Sequence, residues 1–146
     1  MIAVEIKGQS ALELKLNGLT DSIAIRDVLD QSAAILLSHI LQRFNQGVDT
    51  DGTPWAALNP KYAKQKEKKW GTVGILFASG ALRHSIQIFP VDDESRAIGT
   101  DIPYAPFHQY GTIKMPKREF FGISDEDSVS IETGTMDIIN RILSNE

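Results

Sequence analysis

The chain has 146 residues, is 42% hydrophobic, and sets 15 basic against 19 acidic residues for a net charge of −4, with no cysteine. A length of this order suits one domain around one ordinary core that buries roughly two thirds of the unfolded surface. Without cysteine there are no disulfides, thiolate metal sites, zinc ribbons or cysteine nucleophiles, and the acidic balance argues against the global positive field of a nucleic-acid binder.

In chain order, Ile2, Val4 and Ile6 alternate with polar or small residues, and Leu12, Leu14 and Leu16 repeat the alternation. Both stretches predict half-buried strands, joined as an N-terminal hairpin through Gly8-Gln9-Ser10. No apolar run approaches the about 18 residues of a membrane span, and the alternating start lacks the basic-then-apolar order of a secretion signal, so export by that route is not expected. From Asp21 to about Phe44 the period changes: Ile25, Leu29, Ala33, Leu36, Ile40 and Phe44 recur at steps of three and four. This predicts a long helix with a broad apolar face, capped by Asp21 and stopped at Gly47. Residues 48–60, "VDTDGTPWAALNP", read as an ordered loop pinned by Trp55 and Leu58.

"KYAKQKEKKW" then holds Lys61, Lys64, Lys66, Lys68 and Lys69 against Glu67, leaving 10 basic and 18 acidic residues elsewhere. Charge is therefore segregated, and residues 60–74 are expected to form an exposed, mobile arm. "ILFASGALRHS" reads as a short helical connector whose Leu76, Leu82 and Ile86 seek the core. "SIQIFPV" and "RAIGT" predict a second hairpin about the acidic turn at Asp92 to Ser95, with Pro90 marking an edge or a strand end. Tyr104, Phe107 and His108 lie at helical spacing before Gly111, predicting a short glycine-closed helix with the two large rings in the core and His108 and Gln109 satisfying backbone groups. Ser124 with Asp127 three positions later predicts a capped C-terminal helix, apolar through Ile131, Met136, Ile138, Ile139, Ile142 and Leu143 and weakened in the middle by Gly134. The expected fold is α+β: an antiparallel sheet of about four strands packed against the long first helix, plus a C-terminal helix, in one domain over residues 1–146.

Catalytic and ligand motifs are absent from the pattern. His39, His84 and His108 lack the spacing of a metal-binding helix, and no phosphate loop, dinucleotide fingerprint or nucleophile elbow is present; the elbow fails because Phe77 stands where its first glycine is required. "DTDGT" is not a calcium loop, because aligning Gly52 puts Leu58 at the bidentate position. No metal and no cofactor are expected. His108 among aromatics could act as a base in a hydrolase, but only Gln109 stands beside it in sequence, and a histidine hydrogen-bonded to backbone is the better reading. Tyr62 and Trp70 flank the lysine run and could stack on bases, which keeps a nucleic-acid-binding accessory role as the alternative for that segment.

Four segments, "DGTPWAAL", "LFASGALRHSI", "IGTDIPYAPFHQYG" and "PKREFFGISDED", resemble in order the phage virion morphogenesis family of Mu-like tailed bacteriophages and their prophages. The residues that match the family's motifs are Asp51, Gly52 and Trp55; Leu76, Ser79, Gly80 and Leu82; Tyr104, Ala105, His108, Gln109 and Gly111; and Pro116, Arg118, Phe120 and Gly122. The resemblance spans about residues 40–127. It implies a structural protein, not an enzyme, needed for virion assembly in tail completion or head-tail joining. The implied partners are further copies of itself in a homo-oligomeric ring, a hexamer being one candidate, and tail tube, terminator or head-connector proteins. The implied location is the tail or head-tail junction of the virion, reached from the host cytoplasm during assembly. The five lysines are the candidate interface; DNA contact is the lesser alternative, and no membrane is involved.

Overall fold

A computed structural model describes residues 2–7 and 22–144. In chain order it forms β1 (Ile2–Lys7), α1 (Ser22–Gln46), α2 (Pro60–Trp70), α3 (Ala81–Ser85), β2 (Gln87–Asp92), β3 (Ser95–Thr100), α4 (Ala105–Tyr110) and α5 (Asp125–Ser144). The architecture is mixed α and β, as expected, but the strand count is corrected: three antiparallel strands are described, in the order β1-β3-β2. The strand expected over Leu12–Leu16, its turn at Gly8-Gln9-Ser10 and the cap at Asp21 lie outside the described residues.

β3 is the central strand and is buried along its whole length. β2 turns into it through Asp92, whose Oδ1 accepts from the Glu94 N–H and the Ser95 hydroxyl, both at 2.8 Å. Pro90 sits on the edge strand, where a missing N–H removes no bond to a further strand, and the register shifts beside it. β1 pairs with the other side of β3, Val4 opposite Ile98. A Cβ on Gly99 would stand 2.6 Å from the Ile2 carbonyl oxygen and 2.7 Å from the Ala3 Cβ, so only glycine admits this close pairing.

α1 lies on the sheet and on α5. The predicted stripe is the buried one: Ile25, Leu29, Ala33, Leu36, Ile40 and Phe44 are all in the core. Phe44 is its centre, meeting Trp55, Phe77 and Phe120 edge-on at centroid distances of 5.4, 5.3 and 5.8 Å. Edge-to-face pairs of this kind add about 0.5–1.5 kcal/mol beyond their burial. A smaller cluster of Val28 with Ile138, Ile139 and Ile142 joins α1 to α5. Gly134, expected as a weak point, is buried at that crossing, where a Cβ would come within 2.9 Å of Gln31 and Ile35 side-chain atoms. α5 runs unbroken through it.

The lysine-rich segment contains an eleven-residue helix, α2, in which Lys66 is buried rather than exposed. Asn59 caps it by accepting from the Lys61 N–H at 3.0 Å, Pro60 occupies its first turn, and Gly71 follows its last residue. These are ordinary helix start and stop signals flanking Ala, Lys, Gln and Glu, all good helix formers.

Candidate functional site

The loop after α1 is organised by Asp49. Its Oδ1 accepts from the Asp51 and Thr53 N–H groups, both at 2.9 Å, and the Gly52 N–H closes the turn onto the Asp49 carbonyl. Asp51 itself is exposed, and Gly52 takes the left-handed conformation, φ 83°. Val48 bridges to Pro54, which delivers Trp55 to the core with its indole N–H donating to the Glu119 carbonyl at 2.7 Å. Asp49 was missed at the sequence level; an Asp two residues before the backbone it binds is the Asx-turn signal that would have found it.

The stretch 103–122 is held by polar side chains binding backbone. Gln109 is buried; its Oε1 accepts from the N–H groups of Phe120 and Phe121 at 3.1 and 3.0 Å, and its Nε2 donates to the Phe121 carbonyl at 2.8 Å. The Arg118 N–H donates to the His108 carbonyl at 2.8 Å, while its guanidinium reaches back to the carbonyls of Ala56 and Ala57 at 2.8 and 3.0 Å. Gly111 has φ 74°, and a Cβ there would meet the Lys117 nitrogen at 2.8 Å, so backbone conformation and close approach both demand glycine. Phe120 and Leu82 are in the core, Gly80 precedes α3 at φ 81°, and the Gly122 carbonyl accepts from Arg43 at 3.1 Å.

Two expectations for this stretch fail. Tyr104 and Phe107 do not fill the core: they are 43% and 53% exposed, while Ala105 and Gln109, four apart on α4, face inward. The helix turns this way because methyl-sized Ala105 lets it lie close and because Gln109 must reach the 120–121 backbone. The His108 ring satisfies no backbone group either; its Nδ1 is buried without a hydrogen-bond partner.

A second polar node joins α1 to α5. The Asp127 carboxylate is fully buried and accepts from both Arg43 and the Ser124 N–H, and lies 2.6 Å from His39 Nδ1. The Asp127 N–H returns to the Ser124 hydroxyl at 3.1 Å, completing the reciprocal cap read from the sequence. Burial alone raises the Asp127 carboxyl, but bonds from Arg43, the Ser124 N–H and His39, with the Arg43 charge, outweigh it and hold the group below the usual carboxylate range. His39 and Arg43, one turn apart on α1, were the polar partners missed.

α2 divides the lysines. Lys61, Lys64, Lys68 and Lys69 are exposed, with the Lys69 ammonium 4.9 Å from the Trp70 ring centroid. Lys66 points inward and donates to the Gly74 and Ile75 carbonyls at 2.5 and 2.6 Å. It borders a cavity of about 490 Å3 between α2, the segment 75–82 and the loop 114–118, which His108 and Arg118 also line. The motif residues Gly80, Leu82, Tyr104, His108 and Arg118 thus meet around one cavity, whereas Asp51 and Gly52 lie apart from it. Its charged walls are all basic: Lys66, Lys114 and Arg118, with no carboxylate among the described lining residues. Burial and then the Arg118 charge lower the Lys66 ammonium, and burial followed by the Arg118 and Lys66 charges lowers the His108 imidazole. Each of these causes favours the neutral form of the His108 imidazole. It lacks the orienting acid that a general base requires, and Ser79, the nearby hydroxyl, accepts from the Ala81 N–H at 3.3 Å. Among the described residues no three His, Cys, Asp or Glu side chains converge as a metal site, and no helix is long and apolar enough to cross a membrane. What these walls can do is receive an anionic group beside an apolar one.

Comparison with known proteins identifies relatives over most of the chain. The chain is 28% identical over 137 residues, covering 92% of its own length and 90% of the relative's, to Mu-like prophage FluMu G protein 1 of Haemophilus influenzae (strain ATCC 51907 / DSM 11121 / KW20 / Rd). No solved structure matches. The profile of a phage morphogenesis family matches residues 8–143, nearly the whole chain and the elements α1 to α5 but for the last residue of α5. A match over this much of the sequence is decisive: the chain belongs to the phage virion morphogenesis family.

Proposed function

We propose that this protein is a structural component of a tailed phage or prophage that completes the tail or joins it to the head, acting as a homo-oligomer, as one domain and without enzymatic activity. The observation that supports this reading best is what the motif residues do. Trp55 and Arg118 come from loops and Gln109 from α4, up to 63 residues apart in sequence, yet each bonds the backbone of another segment. Such side chains fix a shape, and a subunit repeated around a ring needs loops held at a constant angle. The exposed lysine face of α2 offers a positive surface to the acidic remainder of a neighbouring copy, or to tail tube, terminator or head-connector proteins.

Replacing Lys61, Lys64, Lys68 and Lys69 by glutamate, with Lys66 left in place because it is buried, is expected to preserve the circular dichroism spectrum. The unaltered protein should sediment at low salt as assemblies heavier than the 16.1 kDa chain, and the variant should not. Induction of a prophage lacking the gene should release unjoined heads and tails. Unchanged sedimentation of the variant, or intact particles from the deletion, would overturn the reading. A second reading has its own observation: Tyr62 and Trp70 are exposed beside the lysines of α2, as stacking platforms for single-stranded nucleic acid would be. It requires DNA affinity that falls steeply between two ionic strengths, and absence of binding at low salt removes it.

A further inference from the structure

The cavity behind α2 contains more unspent polar capacity than a structural corner needs. Lys66 and Arg118 are 6% and 5% exposed, yet neither forms an ion pair among the described residues; both donate only to backbone carbonyls. Two buried cations side by side repel each other, and burying such charges is unfavourable unless an anion offsets them. The Lys66 ammonium has three donors and uses two, and the Arg118 guanidinium uses Nε and Nη2, which leaves Nη1 free. His108, on the same wall, has its buried Nδ1 without any partner. Around these donors the walls are apolar, formed by Ile75, Leu76, Phe77 and Met115, with Tyr62 and Tyr104 also bordering the space.

We infer that this cavity is a docking socket for an acidic peptide segment of a protein neighbour, taking a carboxylate side chain between Lys66, Arg118 and His108 and the adjacent apolar side chain against Ile75, Phe77 and Met115. A volume of about 490 Å3 is in the range of sites that enclose a small ligand and holds a pair of side chains rather than a chain running through. The apolar walls argue against a nucleic-acid phosphate, which is recognised along an open basic track with stacking faces. A carboxylate suits the site better than a neutral amide because Lys66 and Arg118 can only donate and every lining charge is positive. The inference deepens the assembly reading, on which the identity of the neighbour rests. The socket itself is tested on the isolated protein, so its failure would leave that reading standing.

The probe is the dipeptide Ac-Leu-Glu-NH2, titrated against the unaltered protein while the His108 ring proton is followed by NMR, with Ac-Leu-Gln-NH2 and inorganic phosphate as comparisons. Burial and then the Arg118 and Lys66 charges depress His108, so arrival of a carboxylate, which offsets those charges, should raise its titration midpoint by about one pH unit, as an opposite charge within a few ångströms does. The glutamine peptide should leave the midpoint in place, and phosphate should move it less. In an Arg118→Gln variant whose spectrum shows it folded, the response to the glutamate peptide should fall at least several-fold. If that variant does not fold, the titration of the unaltered protein decides alone. No response to the glutamate peptide at millimolar concentration, an equal response to the glutamine peptide, or a stronger response to phosphate would each overturn the socket.

Discussion

The half of the molecule built from α1, α5 and the sheet and the hook formed by residues 103–122 obey different rules. In the first, apolar side chains recur at the helical period and the same residues are buried, from Ile25 to Phe44. In the second, Tyr104 and Phe107 follow helical spacing just as well and are exposed, together with Tyr110 and fully exposed Ile113, while an amide and a guanidinium are buried. Burial of apolar area is nondirectional and scales with surface, so a long helix settles with its widest apolar face inward. A six-residue helix between loops has little such area, and the need to satisfy buried backbone groups decides which way it turns. The lesson concerns which term dominates: area in long elements, hydrogen-bond satisfaction in short irregular ones.

The largest effect expected from this contrast is at Asp127, where a polar node and not only apolar area ties α5 to α1 within the first region. Asp127→Ala leaves the largely buried Arg43 guanidinium without its counter-charge and opens the cap of α5. Removing one partner of a buried pair costs about 3–5 kcal/mol, and a urea titration at neutral pH should show a loss of that order. The pH dependence has a definite sign. A carboxyl depressed in the folded state contributes stability that is complete above its unfolded value, about 3.9, and that disappears as pH falls from there through the folded value. The gap between the unaltered protein and the variant should therefore narrow below about pH 4. A gap that stays constant into acid would mean that lost packing, and not the charge, is what the variant measures.

A paired comparison within α4 tests the contrast directly. Gln109→Met keeps a side chain of similar length but strands the Phe120 and Phe121 N–H groups and the Phe121 carbonyl, each an unsatisfied buried group worth about 1–3 kcal/mol. A total loss near 3 kcal/mol is expected after partial relaxation. Phe107→Ala, two residues away, should change stability by no more than about 0.5 kcal/mol because more than half of the residue is exposed. Thermal melts of the two variants should be far apart, in an order opposite to the one that hydrophobicity alone would give. If Phe107→Ala were the more damaging, the hook would be held by its rings after all.

How much of this was legible follows the same division. The register of α1, the pairing of β2 with β3 and the reciprocal cap of Ser124 with Asp127 are local patterns, readable because one element contains the whole signal. The roles of Gln109 and Arg118 are not local: their partners lie 11 or 12 and 61 or 62 residues away, and nothing in "HQYG" or "KREFFG" names them. The motif order singled out both residues without supplying a reason. Lys66 was hidden differently, since five lysines suggested a solvated face and only the helix geometry turns one of them inward. The cavity depends on that inward turn and on three segments meeting, so no single stretch announces it.

The smallest effect is the most sensitive to competing terms, and it lies in the half where the sequence served best. Gly134 in the middle of α5 should cost about 1 kcal/mol in helix propensity relative to alanine, so Gly134→Ala would stabilise the protein by that amount if the helix stood alone. It crosses α1 there, and the added Cβ would lie 2.9 Å from the Gln31 amide nitrogen and from the Ile35 Cδ1. Both atoms are the far ends of flexible side chains, and overpacking of this kind costs on the order of 1 kcal/mol when the neighbours can yield. The two terms nearly cancel, and chemical denaturation should place the variant within about 0.5 kcal/mol of the unaltered protein. A full gain of about 1 kcal/mol would show slack at the crossing. A loss beyond about 2 kcal/mol would show that the α1 side chains are locked, making the approach of the two helices a second place where close packing, and not the apolar period, determines which residue is allowed.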